Sequence, residues 1–294
     1  MDTGRHTPTI TAVIVNYNSG FWLARCLTAL RKSPVDELIV IDNGSSDQSL
    51  DCVHAENNAN ISLVVNPHNP GYASACNQGL EKATGEFVLF MNPDCELLDN
   101  ALKSLGAALQ ENSKAILAGP WIINQQGKVQ RATLRRLPTF KTSMNEFLRP
   151  TSPDGVELSD LVKPEGVQLA EAVSGACMLV RSSLLQQLGG FDANYRLHCE
   201  DLDLMQRAAL AGYAVLLVPD ALVIHQQGVS SRGRPLWVEW QKHRGMWRFY
   251  KKFEAGENNI FKQAIVGISI LGHYLLKAPV IWYKKLSTKA SVHD

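Results

Sequence analysis

The sequence predicts an α/β fold in which helices cover both faces of a mostly parallel central sheet. Short apolar runs rich in β-branched residues alternate with longer segments whose apolar residues recur every three to four positions. Runs of the first kind are typical of buried strands, and segments of the second kind are typical of helices packed on a sheet. The chain has 294 residues, of which 45% are hydrophobic, so it is long enough for one large core.

The first half of the chain contains five such strands separated by helices. Two strands of one sheet that are joined through a helix normally run parallel. The predicted strands are Ile10–Asn16, Glu37–Asp42 and residues 61–66, 87–92 and 115–120, and the predicted helices are residues 20–32, 46–54, 72–83 and 99–110.

The alternation weakens between residues 125 and 170, which contain turns, prolines and a basic cluster. The cluster consists of Arg131, Arg135 and Arg136. Contact with an acceptor phosphate and exposure in a solvated surface loop are the two interpretations. Regular patterns return as a strand at 172–180, helices at 182–188 and 200–211, and strands at 213–218 and 221–225.

Charge is distributed unevenly along the chain. Residues 232–294 contain 12 Lys and Arg and 4 Asp and Glu, a net charge of +8, which leaves 17 and 24, a net of −7, for residues 1–231. From Arg232 onwards the basic groups alternate with aromatic residues, and residues 260–282 are mostly apolar. Helices lying on an anionic membrane surface fit this pattern best, and helices packed on the main body or a membrane span are the alternatives. No nucleic-acid-binding motif accompanies the charge, so nucleic acid is not an expected partner.

Six cysteines are scattered singly, without a C-x-x-C pair that indicates zinc or the dense spacing of a disulfide framework. Buried, reduced thiols in the cytosol are therefore expected. Residues 1–8 are polar and lack the apolar core of a secretory signal, which also predicts a cytoplasmic protein.

Polar residues follow three of the predicted strands at the points where these end. Carboxyl ends of parallel strands meet at one edge of a sheet, where ligands bind. One such end is ordinary turn chemistry, for example Asp42 as a turn former or helix cap, but three converging ends predict a site. Neither G-x-G-x-x-G nor G-x-x-x-x-G-K-[ST] follows the first strand, which argues against dinucleotide-binding and P-loop proteins. The residues are Asn16 and Tyr17, Asp42 and Asn43, and Asn92 and Asp94.

Three further segments contain candidate functional groups. Gly71 opens a helix, where a tight turn and a diphosphate close to the backbone N–H groups are equally consistent with the sequence. Glu200, Asp201 and Asp203 begin another helix, either as a charged helix start or with one ionised carboxylate that acts as a general base. His225 ends a predicted strand, as a metal ligand or as a structural histidine.

Together these segments resemble the family-2 inverting glycosyltransferases, which have the GT-A fold. The resemblance covers residues 8–230, and its NPD, NPGYA and EDxDL segments are most similar to the rhamnosyltransferase branch that builds bacterial cell-surface polysaccharides. The matching segments, in family order, are VIVNYN at 13–18, DNGSSD at 42–47, NPGYA at 69–73, MNPD at 91–94, SGA at 174–176, GGFD at 189–192 and EDLDL at 200–204.

The resemblance implies a role for each matching residue. Asp201 would be the catalytic base, and Asp94, the last residue of the family's D-x-D metal motif, would hold Mg²⁺ or Mn²⁺ together with His225. The first Asp of D-x-D is Asn92 here, so one expected carboxylate is missing. The implied nucleotide-sugar-binding residues are Asn16, Tyr17, Asp42, Asn43, Gly71, Asn92 and Asp94, and the implied acceptor or site-supporting residues are Gly175, Glu200 and Asp203.

The resemblance also implies a domain plan and a reaction. Residues 1–230 would form the catalytic domain, with a nucleotide-sugar half at about 8–120 and an acceptor half at about 121–230, followed by a basic, aromatic helical extension at 231–294. The expected reaction is inverting transfer of L-rhamnose from dTDP-L-rhamnose to a lipid-linked or polysaccharide acceptor at the inner face of the plasma membrane. A UDP-hexose donor and a non-catalytic nucleotide-sugar-binding protein are the alternatives. The oligomeric state is not indicated.

Overall fold

The computed structural model describes residues 7–54, 61–139, 141–142, 156, 158, 161–229 and 233–290. The polar residues 1–6 and Arg232, named above, lie outside these described residues. The strands are β1 (Ile10–Asn16), β2 (Glu37–Asp42), β3 (Ile61–Val65), β4 (Phe87–Met91), β5 (Cys95–Leu97), β6 (Ala115–Ile123), β7 (Leu134–Arg135), β8 (Gln168–Ala170), β9 (Ala172–Val173), β10 (Cys177–Arg181) and β11 (Ala214–His225).

Helices connect most of these strands. Short 3₁₀ turns lie at Gln48–Leu50, Arg131–Thr133 and Ala255–Glu257. The α-helices are α1 (Trp22–Arg31), α2 (Asp51–His54), α3 (Tyr72–Lys82), α4 (Ala101–Glu111), α5 (Ser182–Gln187), α6 (Glu200–Leu210), α7 (Pro235–Phe253) and α8 (Ile260–Ala290).

The central sheet has the strand order β3-β2-β1-β4-β10-β6-β11-β5, and β8 pairs with β11 beside this path. Strands β3, β2, β1 and β4 are parallel neighbours, as are β6 and β11. Antiparallel pairing enters through β10, β5 and β8, which come from or pair with the second half of the chain. The predicted α/β class is confirmed, with a sheet that is mixed where the strand–helix alternation of the sequence weakens.

Three predicted strands of the second half differ in detail from the structure. The stretch 172–180 is divided into β9 and β10 by a turn at 174–176. Conversely, the two strands predicted at 213–218 and 221–225 form the single strand β11, whose register against β6 shifts between Val218 and Leu222. Pro219 lies inside that shift and has no N–H for the ladder, so a bulge allows the strand to continue past it.

The helices lie on both faces of the sheet because alternate residues of each strand point to opposite faces. On one face, Leu23 and Leu27 of α1 and Leu102 of α4 belong to a core that includes Ile14 of β1. On the other face, residues of α3 and α6 pack with Val13, the next residue of the same strand. Both cores are buried, so the strand ends are held rigidly in place.

Helix α7 packs on the second of these cores and is also held by ion pairs. Phe249 lies in that core. The Arg248 guanidinium donates to Asp192 Oδ2 (2.7 Å), and Lys252 Nζ donates to Asp192 Oδ2 (2.9 Å) and to Asp203 Oδ2 (2.6 Å). Partial burial favours a protonated Asp192, but Arg248 and Lys252 outweigh it and hold the pKa of this carboxyl well below its ordinary value.

Helix α8 packs along α7 with one side only. Val266 joins Tyr250 and Ala255 in a small apolar cluster between the two helices. The other sides of α8 expose large apolar residues along its length, and residues 260–283 are long and apolar enough to cross a membrane. The division of the chain into residues 1–230 and 231–294 stays a prediction.

Candidate functional site

Asn16 and Asp42, at the ends of β1 and β2, bind each other. Asn16 Nδ2 donates to Asp42 Oδ1 (2.8 Å) and to Ser49 Oγ (2.8 Å). Asp42 Oδ2 accepts the N–H groups of Gly44 (3.1 Å) and Ser45 (2.9 Å). Both side chains are fully buried. They therefore fix the two strand ends whose next residues are Tyr17 and Asn43.

Asn43 connects the end of β2 to the loop that opens α3. Its Oδ1 accepts a hydrogen bond from Asn66 Nδ2 (3.0 Å), and its Nδ2 donates to the Gly71 carbonyl (3.4 Å). Gly71 has φ +102°, and a Cβ at this position would lie 2.8 Å from the Arg196 carbonyl oxygen. The same carbonyl accepts the N–H of Tyr72 (3.0 Å). Close backbone contact with the loop before α6 therefore requires glycine here.

A cavity of about 870 Å³ opens at the carboxyl ends of the strands. Its volume is in the range of sites that take small ligands and cofactors. The predicted site residues that line it are Tyr17, Asn43, Asn92, Asp94, Gly175, Glu200, Asp201 and His225, whereas Asn16, Asp42, Gly71 and Asp203 are not among its lining residues. The cavity thus brings the strand ends together with the start of α6.

Asp94 and His225 lie side by side in this cavity because β5 pairs with β11. Asp94 Oδ1 is 3.3 Å from His225 Nε2. Gln130 Nε2 donates to the His225 carbonyl (2.7 Å), which places Gln130 Oε1 3.0 Å from His225 Nδ1. Since Oε1 can only accept, Nδ1 is the donor of this contact, which leaves Nε2 as the ring nitrogen that faces Asp94.

The lone pair of an unprotonated His225 Nε2 and the Asp94 carboxylate oxygen repel each other at this separation unless a proton or a cation lies between them. A divalent cation with one carboxylate and one imidazole ligand satisfies both atoms. The hydrogen bond from Nδ1 to Gln130 is the kind of outer contact that orients metal-binding histidines. Asp94 and His225 therefore fit a divalent metal ion.

Cys95 is close to this pair, but its thiol is hydrogen-bonded elsewhere. Its Sγ lies within 4.8 Å of ligand atoms of Asp94 and His225. The thiol donates to the Ala176 carbonyl (3.4 Å), and burial together with the Asp94 charge raises its pKa well above the ordinary value. A protonated thiol is a poor ligand. Among the described residues, Asp94 and His225 are thus the better candidates for holding a metal ion at this point.

Asp201 is held from several directions at the start of α6. Its Oδ2 accepts the Gly175 N–H (3.0 Å) and a hydrogen bond from the Arg135 guanidinium, and its Oδ1 accepts the Leu202 N–H (2.8 Å). Burial alone would raise the pKa of Asp201, but Arg135 and these N–H donors outweigh it and lower the pKa. A Cβ on Gly175 would lie 2.8 Å from Asp201 Cβ, so the glycine makes room for the carboxylate. Asp201 is thus an ionised carboxylate facing the cavity.

The pKa of Glu200, its neighbour, is shifted in the opposite direction. Burial, followed by the charge of Asp201, raises the pKa of Glu200 to about 8. Its Oε2 has no hydrogen-bond partner among the described residues. Adjacent carboxyl groups whose pKa values are pushed apart often have different catalytic roles. Of the two, Asp201 is the one able to accept a proton at neutral pH.

Comparison with models of protein families shows the family to which the chain belongs. The model described as glycosyl transferase family 2 matches residues 11–159, just over half of the chain, and the model described as glycosyl transferase family group 2 matches residues 160–287. The chain belongs to glycosyltransferase family 2.

Curated relatives of this family-2 glycosyltransferase are themselves glycosyltransferases. It is 28% identical over 247 residues to the N-acetylglucosaminyl-diphospho-decaprenol L-rhamnosyltransferase of Mycobacterium tuberculosis, covering 78% of this chain and 80% of the relative. It is 26% identical over 226 residues to a low-salt glycan biosynthesis hexosyltransferase of Haloferax volcanii, covering 75% and 68%.

Solved structures confirm the predicted GT-A fold. A mannosyltransferase from Pyrobaculum calidifontis, in complex with GDP-Man and Mn²⁺, superposes with a TM-score of 0.59 at 18% identity and covers 98% of this chain and 81% of its own. GalNAc-T7 with UDP, GalNAc and Mn²⁺ gives a TM-score of 0.61 at 18% identity and covers 84% of this chain. The glycosyltransferase described here spans about half of that second protein, 48% of its length.

Asp203 lies on the side of α6 away from the cavity. Its side chain is fully buried and accepts hydrogen bonds from Arg207 Nε (2.7 Å) and Lys252 Nζ (2.6 Å). Arg207 also donates to the carbonyls of Leu188 (2.7 Å) and Gly190 (2.8 Å). Asp203 therefore connects α6 to α7 and to the glycine pair before α6.

Asp203→Asn should destabilise the enzyme, because a neutral amide cannot satisfy two cationic donors. We expect a loss of about 1–3 kcal/mol in the free energy of unfolding, measured by chemical denaturation. Asp220→Asn removes a carboxylate that is 77% exposed and is the matched control, which should unfold like the wild type. A loss of nucleotide binding at unchanged stability would instead place Asp203 in the ligand site.

The structure also adds site residues for which the sequence contains little signal. Arg135 belongs to the basic cluster at 131–136, but its partner Asp201 is 66 residues away. Gln130 lies in the weakly patterned segment and matches no motif. His198 and Cys199, just before α6, both have left-handed backbone conformations (φ 68° and 69°), which residues other than glycine seldom adopt. Only the tertiary structure reveals these three features.

Gln130→Ala should weaken metal binding, because His225 loses the acceptor that orients its ring. We expect the affinity for Mn²⁺, measured by electron paramagnetic resonance of the free ion, to fall about 10–100-fold. Gln125→Ala, an exposed glutamine in the same segment, is the control and should bind Mn²⁺ normally. Equal affinities in Gln130→Ala and the wild type would contradict the role of Gln130.

Proposed function

We propose that this enzyme transfers L-rhamnose from dTDP-L-rhamnose, with inversion, to a hydroxyl group of a lipid-linked glycan acceptor. One observation is the main support for inversion. Asp201, whose pKa is lowered by Arg135 and by backbone N–H donors, lines the same cavity as the Asp94–His225 pair, whereas burial raises the pKa of its neighbour Glu200. The rhamnosyl donor and the lipid-linked acceptor are suggested by the mycobacterial relative.

The proposed reaction is one displacement at the anomeric carbon. Asp201 accepts the proton of the acceptor hydroxyl as the oxygen attacks, and the bond from the anomeric carbon to the nucleoside diphosphate breaks on the opposite face of the sugar. A divalent cation at Asp94 and His225, Mg²⁺ or Mn²⁺, would supply positive charge to the departing diphosphate. Arg135 keeps Asp201 ionised before the acceptor arrives, since its guanidinium lowers the pKa of this carboxyl.

The donor side of the site contains the other predicted nucleotide-sugar residues. Tyr17 and Asn43 line the cavity at the ends of β1 and β2, and Asn92 lines it next to the metal pair. Their positions rest on the buried Asn16–Asp42 pair. We propose that Tyr17 and Asn43 contact the nucleoside, and that Asn16, Asp42 and Gly71 shape the site without binding the donor directly.

A screen of nucleotide sugars for thermal stabilisation tests the donor. With Mn²⁺ present and ligand at 100 times its Kd, binding adds about 2.7 kcal/mol of stability. The melting temperature should therefore rise by roughly 5 °C with dTDP-L-rhamnose, and by less with UDP-glucose, UDP-N-acetylglucosamine or GDP-mannose. A larger rise with a UDP-hexose would replace the rhamnosyl donor, and stabilisation without turnover would indicate a non-catalytic binding protein.

We further propose that α8 lies in the surface of the cytoplasmic leaflet of the plasma membrane. Phe261, Ile268, Leu275 and Leu276 are each more than half exposed, so the outward sides of the helix form a continuous apolar surface. Such surfaces are rare on soluble monomers. Because α8 packs along α7, and α7 is ion-paired to the catalytic body, a helix parallel to the membrane plane fits better than a helix that crosses it.

The membrane proposal predicts binding to anionic vesicles. The full chain should sediment with phosphatidylglycerol vesicles, and Leu275→Asp with Leu276→Asp should weaken binding at least about tenfold, since each buried leucine contributes about 1.5–3 kcal/mol. Leu210→Asp, which changes an equally exposed leucine on α6, is the control and should leave binding unchanged. A wild-type protein that stays in the supernatant would rule out this membrane contact.

A further inference from the structure

The cavity extends beyond Asp201 to a set of basic side chains on the two C-terminal helices. Lys242 and His243 of α7 and His273 and Lys277 of α8 all line it. We call these four residues the α7–α8 basic cluster. All four lie after the seven short family-like sequence segments, the last of which ends at residue 204, and within the range 160–287 that the second family model matches.

The two histidines of the cluster are bonded to each other. His243 Nδ1 is 2.8 Å from the Glu239 carbonyl oxygen, which can only accept, so Nδ1 is the protonated nitrogen. His243 Nε2 then accepts from His273 Nδ1 at 3.2 Å. Lys277 Nζ is 3.5 Å from Glu239 Oε1, so the negative charge of Glu239, which lies next to the cluster, is already paired with Lys277.

Lys242 is the lysine of the cluster without an ion-pair partner among the described residues. It forms no hydrogen bond or ion pair with the residues that the structure describes. Its charge reaches the loop before α6, because burial and then Lys242 lower the pKa of His198 to about 4. Asp201 acts on the same histidine in the opposite direction. The charges of Asp201 and Lys242 therefore both act on His198.

Helix α7 is held directly against that loop. A Cβ on Gly245 would lie 3.0 Å from the His198 carbonyl oxygen and 3.3 Å from Cys199 Cβ, so glycine allows the close contact. Lys242 is three residues before Gly245 and thus lies on the same side of the helix. The basic cluster consequently lines the cavity close to the loop that precedes α6.

The outer side of the cluster meets the apolar surface of α8. Leu276 adjoins Lys277 in the sequence and is 70% exposed, and Leu275 is 59% exposed. A ligand at the cluster would therefore have Asp201 on one side and an apolar surface on the other. A ligand with a sugar, an anionic group and a lipid chain in this order would match Asp201, the basic cluster and the apolar surface of α8.

We infer that the α7–α8 basic cluster binds the diphosphate of a polyprenyl diphosphate-linked acceptor, an assignment that rests on the proposed transfer to a lipid-linked glycan. Lys242 and Lys277 contact the diphosphate oxygens, His273 lies beside them, and the polyprenyl chain lies along the exposed face of α8. The sugar attached to the diphosphate then points towards Asp201. Charged hydrogen bonds of this kind suit diphosphate recognition.

Binding of model ligands to the full chain tests the inference. Farnesyl diphosphate, inorganic diphosphate and farnesol are titrated calorimetrically in EDTA, so that no metal ion at Asp94 and His225 attracts a diphosphate to the donor side. Farnesyl diphosphate should bind most tightly, and Lys242→Gln should weaken it about tenfold, as expected for loss of a charged hydrogen bond. Arg244→Gln removes an exposed charge from the same helix outside the cavity and should bind as the wild type does.

Several results would overturn the inference. Unchanged affinity in Lys242→Gln, or an equal loss in Arg244→Gln, would exclude a specific site at Lys242. Equally tight binding of farnesol would exclude diphosphate recognition, and equally tight binding of inorganic diphosphate would exclude the lipid. The donor screen separates this outcome from the proposed function: Lys242-dependent binding without any stabilisation by nucleotide sugars would contradict the transferase reaction but keep the diphosphate site.

Discussion

Asp201→Asn should reduce the rate of sugar transfer by about 10²–10⁴-fold, because a carboxamide cannot accept the proton of the acceptor hydroxyl. Stabilisation of the protein by the donor nucleotide should be unchanged, since the contacts of Asp201 are with Arg135, Gly175 and Leu202. Initial rates with and without acceptor, together with thermal melts in nucleotide, measure the two properties separately.

Asp203→Asn is the matched control for this variant. It removes a carboxylate two residues further along α6 that is not among the residues lining the cavity. At a temperature where both variants are folded, Asp203→Asn should retain most of the activity and Asp201→Asn should not. Near-normal turnover in Asp201→Asn would show that another group accepts the proton.

Asp94→Ala should abolish metal-dependent binding of the donor. The site offers one carboxylate and one imidazole, so this substitution leaves His225 as the single side-chain ligand among the described residues. Because loss of an outer contact alone costs about 10–100-fold, loss of a direct ligand should lower the affinity for Mn²⁺ by more than about 100-fold. Electron paramagnetic resonance of free Mn²⁺ and donor-induced thermal shifts measure the change.

Asp99→Asn, an exposed carboxylate five residues away, is the control for Asp94→Ala and should bind Mn²⁺ normally. Activity should also be lost in EDTA and restored by added Mn²⁺ or Mg²⁺. Donor binding that is identical in Asp94→Ala and the wild type, with and without EDTA, would show that this cavity holds its diphosphate without a metal.

The sequence predicts the parts of this fold that depend on local patterns. Strands such as Ile10–Asn16 are mostly apolar because they are buried on both faces, and this property is visible in the sequence. Residues that follow such strands, including Tyr17 and Asn43, are placed at the cavity by topology alone. The start of α6 at Glu200 is likewise marked by its carboxylates.

Other features depend on contacts between distant segments, which patterns do not record. Asn16 and Asp42 look like ligand-binding residues in the sequence, but their buried side chains are used in holding β1 to β2. Asp203 has the same residue type and nearly the same position as Asp201, yet the helical rotation of about 200° over two residues directs it to Arg207 and Lys252 instead of the cavity. Gln130 becomes part of the site only through its contact with His225.

The anomeric configuration of the product tests the proposed reaction most directly. The full chain is supplied with Mn²⁺, the donor identified by the screen and a farnesyl diphosphate-linked N-acetylglucosamine, and the new glycosidic bond is examined by proton nuclear magnetic resonance. One displacement assisted by Asp201 predicts a configuration at the anomeric carbon opposite to that of the donor. A product with the donor's configuration would contradict the single displacement and the role of Asp201 as its base.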